Sequence, residues 1–259
     1  MQNPLVSVIT PCYNQASYLR KTVENVLKST YRPIEILIIN DGSNDNSLEL
    51  AHELARENPE VRVLDQPNGG VSVARNNGIS CAKGELILPL DGDDLIAPNY
   101  MEEAVKVLLA RPEVKVVYCK GIKFDEKGQK KWKLKPFSLY NLARNNMIFP
   151  ATFFRKQDAL AVGGFSNDMT MGREDWEFWI KMLKDGGEVV QLPFIGYFYR
   201  LTPTSKRKKT ATHQKKIERL AYLNAKHMDF FERELHGPLR IQRTWSRPYN
   251  KLLKLLGML

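Results

Sequence analysis

Four short runs of β-branched and other apolar residues punctuate the first ninety positions, and each passes into a polar cluster and then a helix-like stretch. Val6 to Thr10, Ile34 to Asn40, Val61 to Leu64 and Leu86 to Leu90 read as strands. Tyr18 to Ser29, Ser47 to Glu57, Ser72 to Ala82 and Asn99 to Leu109 read as the helices between and after them. Strand and helix in regular alternation predict an α/β fold, with a mostly parallel central sheet covered by helices. Such sheets bind ligands beyond the carboxyl ends of their strands. Here those ends carry Pro11-Cys12-Tyr13-Asn14, Asn40-Asp41-Gly42-Ser43, Asn68-Gly69-Gly70 and Asp91-Gly92-Asp93-Asp94, so one polar crevice is expected.

The second half is less regular. A strand is expected over Val114 to Tyr118, followed by a polar, Lys-rich stretch with a hairpin turn at Gly128. Ala151 to Phe154, Val189 to Leu192 and Gly196 to Tyr199 read as further strands, and Glu174 to Leu183 as a helix. Trp176, Trp179, Ile180 and Leu183 fall at helical spacing, which makes them a core stripe. Beyond Ser205 a helix is expected from about His213 to Leu235, then a Pro-broken stretch, then an amphipathic segment over Leu252 to Leu259.

The 259 residues carry a net charge of +10 that is not spread evenly. Residues 206–259 hold 14 Lys/Arg against 4 Asp/Glu, so the whole excess lies in that segment and the rest is balanced. We therefore divide the chain into a body, 1–205 (halves 1–118 and 119–205), and a basic helical C-terminal extension, 206–259. The extension points to an anionic partner; with few aromatics and no recognised motif, it does not read as binding nucleic acid. Leu252, Leu255, Leu256 and Leu259 share a helical face flanked by Lys251 and Lys254, with Trp245 and Arg247 nearby, a pattern suited to an anionic membrane surface. Docking on the chain's own body or on a second copy is the competing reading, and an oligomer is compatible with it. No apolar run reaches the roughly 18–20 residues that span a bilayer, and Met1 to Thr10 does not resemble a signal peptide. Cys12, Cys81 and Cys119 are too scattered for a disulfide framework, so a cytoplasmic setting, peripheral at the inner face of the membrane, is expected.

Asp91, Asp93 and Asp94 place three like charges in one loop, which calls for a cation; a divalent ion held by one or two carboxylates and by substrate phosphates would answer. Asp94 can also be read as a cap for the next segment. The Asn68-Gly69-Gly70-Val71 turn opens a helix and lets backbone N–H groups approach an anion, but it lacks the spacing of a dinucleotide or P-loop fingerprint. Asp41 sits in what is also an ordinary turn sequence.

Taken together, VSVITPCYN, ILIINDGS, PNGGVSVARNNG, LDGDD, VGGF and GREDWEFW resemble, in order, the motifs of family 2 glycosyltransferases, from Val6 to about Arg200. The resemblance implies the GT-A type of fold, with 1–118 as the donor-binding half and 119–205 as the acceptor-binding half, and transfer of a sugar, with inversion, from a nucleotide donor, expected to be a UDP-sugar, to a glycan or lipid-linked acceptor in cell-surface polysaccharide assembly. It implies that Pro11, Tyr13, Asn14 and Asp41 line the base and ribose pocket and that Asn68 and Arg75 lie near the nucleotide. Asp91 and Asp93 would be the Asp-X-Asp pair that meets the ribose side and a Mn2+ or Mg2+ ion. Asp175 would be the catalytic base, with Glu174, Arg173 and Thr152 on the acceptor side. Two departures stand out. Thr202 occupies the place of a His that often helps hold the diphosphate–metal unit, and Gln242-Arg243-Thr244-Trp245 does not match the Gln-x-x-Arg-Trp motif of processive synthases, so a single-addition enzyme is expected. A sugar nucleotidyltransferase and a non-catalytic binder of nucleotide sugars are the rival readings.

Overall fold

The computed structural model describes residues 3–202 and 210–259. The boundary read at residue 205 and the Lys206-Arg207-Lys208-Lys209 run lie outside the described residues. The chain gathers into two compact units: Met1–Lys133 with Pro150–Phe165 and Gly187–Thr202, and Leu134–Phe149 with Ser166–Gly186 and Pro203–Leu259.

The first unit is built on a nine-stranded sheet. Its elements run β1 (Val6–Cys12), α1 (Ala16–Leu27), β2 (Ile34–Asp41), α2 (Ser47–Glu57), β3 (Val61–Gln66), α3 (Val71–Cys81), β4 (Leu86–Pro89), β5 (Leu95–Ile96), α4 (Tyr100–Ala110), β6 (Val114–Asp125) and β7 (Gly128–Trp132). After the first excursion into the second unit come β8 (Phe153–Arg155) and α6 (Lys156–Ala161), and after the next β9 (Glu188–Arg200). The strand order is β3-β2-β1-β4-β8-β6-β9-β5, with β7 on β6. β3, β2, β1 and β4 are all parallel. Every residue of β1 and β2 is buried, as expected of strands covered on both faces. From β8 onward the sheet is mixed: β8 is antiparallel to both β4 and β6, β5 is antiparallel to β9, and β6 is parallel to β9. The α/β expectation holds, with the uninterrupted parallel run confined to β3, β2, β1 and β4.

Chain order along the sheet reverses at β1. β2 and β3 extend to one side of it, and β4 lies on the other. A crevice opens at the carboxyl ends of strands where successive connections diverge in this way. The loops at that point are Tyr13-Asn14 after β1 and Asp91-Gly92-Asp93-Asp94 after β4.

The second unit is helical: α5 (Leu139–Arg144), α7 (Glu174–Leu183), α8 (His213–Lys226), α9 (Met228–Leu235), a 3-10 turn (Arg243–Trp245) and α10 (Ser246–Leu255). Trp176, Trp179, Ile180 and Leu183 are fully buried, as their spacing predicts. Three-to-five kcal/mol is the typical cost, in order of magnitude, of cutting back one such tryptophan to alanine, about a third of a whole domain's stability.

Two expected breaks fall elsewhere. Pro193 and Gly196 divide the sequence pattern into two short strands, yet β9 runs continuously, because register shifts against β6 absorb the irregular residues. Conversely, the single helix expected over His213 to Leu235 is split at His227, with φ −135° and ψ 36°. The cause is tertiary. The imidazole Nε2 of His227 is turned into the interior, 3.0 Å from Oε1 of buried Glu177 on α7.

Candidate active site

Hydrogen bonds between loops, rather than any one loop alone, shape the crevice of the first unit. Asn14 adopts the left-handed region at φ 54°. Its N–H donates to Ser43 Oγ at 3.0 Å, and its Oδ1 accepts from the Asn44 N–H at 2.7 Å, which ties the end of β1 to the loop after β2. Tyr13 beside it is 47% exposed, whereas Pro11 is buried in β1. Asp41, at the end of β2, is buried and cradles the next loop: its carboxylate accepts from Gln66 Nε2 at 2.8 Å, Gly69 N at 2.8 Å and Gly70 N at 2.9 Å. A carboxylate offers about four lone-pair sites, so one acceptor direction is left for a ligand. Asn68 Nδ2 donates to the Asp41 carbonyl at 2.8 Å. Gly42, at φ 67°, lies where a Cβ would come within 2.8 Å of Asn68 N, so only glycine lets these loops close.

The acidic loop after β4 divides its three carboxylates among different tasks. Asp91 accepts from Nη2 of buried Arg75 at 2.7 Å, and the Arg75 guanidinium lies over the Phe165 ring at 5.2 Å. Asp94 is fully buried; it accepts from the Tyr197 hydroxyl and, at 2.8 Å, from the Arg200 N–H. Burial, with the charges of Asp93 and Asp91, pushes its carboxyl well above the usual range. It is therefore a bolt between the loop and β9 and not a helix cap. Arg200 Nε donates to the Asp93 carbonyl at 2.8 Å, and Thr22 Oγ1 bonds the carbonyls of Gly92 and Asp94 at 3.0 and 2.9 Å. Gln15 lies close against Gly92, where a Cβ would come within 2.5 Å of its Oε1.

Asp93 alone is left half-buried without an ion-pair partner among the described residues. Burial first, then the charge of Asp91, raises its carboxyl from 3.8 to about 7, with Arg200 and Gln15 acting in the opposite direction. No cage of three or more His, Cys, Asp or Glu side chains occurs among the described residues. A divalent ion that takes one or two carboxylates and fills its shell with phosphate oxygens and water needs no such cage. Asp93, with Asp91 beside it, fits that donor set, and the ion's charge would relieve the repulsion that raises Asp93.

In the second unit, Asp175 opens α7. Its Oδ1 accepts the Trp176 N–H at 2.9 Å, and its Oδ2 accepts Asn146 Nδ2 at 2.6 Å. Glu174 is buried; Arg173 is exposed and left-handed, at φ 64°. Thr152, in the first unit, is fully enclosed and offers no surface to a solute. Cys12 and Cys119 are buried, and burial pushes their thiols up to about 11 and about 12, so neither is a nucleophile at neutral pH.

Gln15, Thr22, Tyr197, Arg200 and Asn146 escaped the sequence reading. The Tyr-x-x-Arg spacing of Tyr197 and Arg200 was visible, but nothing local says that the Tyr197 hydroxyl and the Arg200 N–H reach back across more than one hundred positions to Asp94.

The family profile described as Glycosyl transferase family 2 matches residues 7–177. The chain belongs to this family. Among curated relatives, the chondroitin synthase of Pasteurella multocida strain Pm70 is 42% identical over 115 residues, 44% of this chain and 12% of that protein. Glycosyltransferase GlyG of Streptococcus pneumoniae serotype 4 is 48% identical over 99 residues, 38% of this chain and 33% of GlyG. The chain thus spans a third or less of the length of these relatives. Among solved structures, residues 1–349 of S. aureus TarS in complex with UDP-GlcNAc superpose with a TM-score of 0.72 at 16% identity, covering 96% of this chain and 75% of that one. The mannosyltransferase PcManGT from Pyrobaculum calidifontis, in complex with GDP-Man and Mn2+, gives a TM-score of 0.69 at 20% identity, covering 99% and 76%. At such identities the likeness establishes the fold, which is of the GT-A type expected for this family 2 chain.

Proposed function

We propose that this chain is an inverting, metal-dependent glycosyltransferase that moves a hexosyl unit from a nucleoside diphosphate, with uridine as the base, onto an acceptor hydroxyl. The observation that carries this reading is the lip after β4. There the half-buried Asp93 stands beside Asp91 without a cation of its own, while Arg75, Arg200, Tyr197 and Thr22 clamp the loop around it. Asp93 and Asp91 would hold the ion, and a bound Mn2+ or Mg2+ supplies charge neutralisation for the leaving diphosphate. Arg75 fixes Asp91, and Asp41 keeps the glycine turn in place beside Asn68. Tyr13 and Asn14 would border the nucleoside.

In the transfer, the acceptor oxygen forms its bond to the anomeric carbon as that carbon's bond to the diphosphate oxygen breaks. The bonding pair leaves on the diphosphate, and the hydroxyl proton passes to Asp175. The Trp176 N–H and Asn146 Nδ2 hold the Asp175 carboxylate in place. The UDP-GlcNAc bound by TarS supports a uridine nucleotide, although the GDP-Man bound by PcManGT shows that the fold accepts another. The Pasteurella synthases, by their names, support a place in polysaccharide or glycan assembly.

The test is a screen of nucleotide sugars for release of nucleoside diphosphate, with and without Mn2+. Metal-stimulated release from a UDP-sugar is expected. Binding without release from any donor would leave a non-catalytic binder, and release of pyrophosphate from a sugar phosphate and a nucleoside triphosphate would make it a nucleotidyltransferase.

We further propose that the C-terminal helix lies on an anionic lipid leaflet, at the inner face of the membrane. Leu252, Leu255, Leu256 and Leu259 are exposed, Leu255 at 84%, and Trp245 next to the helix is 68% exposed. Among the described residues no helix is long and apolar enough to cross a membrane. Flotation with vesicles containing phosphatidylglycerol should carry the protein upward, and Leu252→Glu with Leu255→Glu should abolish this. Equal flotation of the two proteins would refute it.

A further inference from the structure

A groove of about 690 Å3 lies wholly within the second unit, and the reaction above leaves it unused. Ile217, Leu220 and Ala221 line it from α8, where spacings of three and four residues put them on one helical face. Leu239 and Ile241 line it from the loop after α9, and Trp245 and Tyr249 complete it. Two side-chain amides hold that loop in place. Asn224 Nδ2 donates to the Leu239 carbonyl at 2.9 Å, and Asn224 Oδ1 accepts the Leu239 N–H at 2.7 Å. Asn250 Nδ2 donates to the carbonyls of Leu235 and Pro238 at 3.1 and 3.0 Å. These peptide groups are satisfied inside the fold, so the groove is preformed and offers mainly apolar surface. Its volume falls within the roughly 300–1,000 Å3 of sites that take small ligands.

Charge and continuity say what belongs in it. Arg240 lines the groove, donates through Nε to Asn250 Oδ1 at 2.7 Å and lies over the Tyr249 ring at 4.9 Å. It pairs with no carboxylate among the described residues. Residues 206–259 hold 14 Lys/Arg against 4 Asp/Glu, which favours an anionic occupant and opposes pairing with the same segment of a second copy. Trp245 and Tyr249 are 68% and 48% exposed, and Leu252 and Leu256 follow them at helical spacing, exposed as well. The apolar stripe therefore runs from the groove onto the C-terminal helix face without a break. Rings with a polar edge, as Trp245 and Tyr249 have, suit the boundary between hydrocarbon and water.

We propose that this groove takes one hydrocarbon chain of an anionic lipid, with the Arg240 guanidinium meeting the phosphate of its head. The inference rests on the leaflet reading above for the source of that lipid; occupancy of the groove is measured without a membrane. A chain drawn from a leaflet under the C-terminal helix reaches the groove along apolar surface. The Nη groups of Arg240 supply the charge-assisted hydrogen bonds that a phosphate oxygen accepts.

Titrating the full-length protein with decyl phosphate, kept below the concentration at which it forms micelles, tests the site. Decanol and inorganic phosphate are run in parallel, with calorimetry and NMR at the Trp245 indole N–H as readouts. Saturable one-to-one binding of decyl phosphate is expected, about tenfold tighter than decanol, with no binding of inorganic phosphate. Arg240→Gln should bring decyl phosphate down to the affinity of decanol. Ala221→Trp, at an exposed helical position, should fill the groove and abolish binding of both with Tm unchanged. Decyl phosphate bound as tightly by Ala221→Trp as by the parent, or no better than decanol, would overturn the proposal. So would a dimer that Ala221→Trp disperses, which would assign the groove to a second copy. Leu252 and Leu255 lie outside the groove, so the double Glu variant separates the two readings. Unchanged flotation of that variant, with decyl phosphate still bound, would remove the leaflet reading alone. Lost flotation, with a parent protein that ignores decyl phosphate, would remove the groove alone.

Discussion

The lip after β4 and the ground around Asp175 are opposites in charge and alike in construction. The first crowds Asp91, Asp93 and Asp94 into a single loop; the second brings Arg173, Arg219 and Arg243 together from three elements. In each, part of the crowd is spent on architecture: Asp94 bolts the loop to β9, and Arg219 ties down the turn before α7. The lip leaves Asp93 without an ion-pair partner among the described residues, whereas the charges of Asp175 and Glu174 act on Arg219. A folded chain tolerates concentrated charge only when something offsets it. What separates them is how they are made. The acidic lip is contiguous in sequence, whereas the arginines lie up to 70 positions apart.

The comparison can be broken at several points. The largest effect is expected from Asp93→Ala, which should remove metal-stimulated turnover and donor hydrolysis altogether; retained stimulation by Mn2+ would detach the ion from the lip. Next comes Asp175→Asn, which should lower kcat by at least about 100-fold, the lower end for a lost general base, with donor affinity little changed. A variant near full activity would remove Asp175 from the chemistry. Arg75→Met should come third, costing about 3 kcal/mol in chemical denaturation, since it leaves Asp91 behind without its buried partner. A loss below about 1 kcal/mol would mean that water already serves Asp91.

The smallest effect concerns pH. Because the folded state raises the Asp93 carboxyl from 3.8 to about 7, it holds a proton that the unfolded chain has released in that interval. That contribution to stability is complete below pH 4 and is lost as pH rises through about 7. In metal-free protein, Asp93→Asn should therefore melt a few degrees above the parent at pH 8 and together with it near pH 4. Adding Mn2+ at pH 8 should stabilise the parent and not the variant. A constant difference across the range would place the strain elsewhere.

Much of both units could be read from their residues. The helices over Ser47–Glu57 and Glu174–Leu183 fall where periodicity puts them, and the strands at 6, 34, 61 and 86 begin where β-branched runs begin. The candidate lip was legible for the same reason: its carboxylates are neighbours in the chain. Asn146 beside Asp175, Tyr197 on Asp94 and the arginine group were not legible, because each depends on partners that come together only after the chain has folded.

By itself, then, the sequence determined the α/β alternation, the buried character of β1 and β2 and the presence of an acidic loop at a strand end, since all of these follow from local spacing of apolar and charged side chains. Tertiary structure alone decided that β9 runs unbroken, that the helix after His213 breaks at His227, and which aspartate of the three is a bolt and which stays half-buried without an ion-pair partner among the described residues. The physical reason is common to all three. Burial and hydrogen bonding to distant residues set the energy of a polar group, and one whose partner lies one hundred positions away carries no local sign of it.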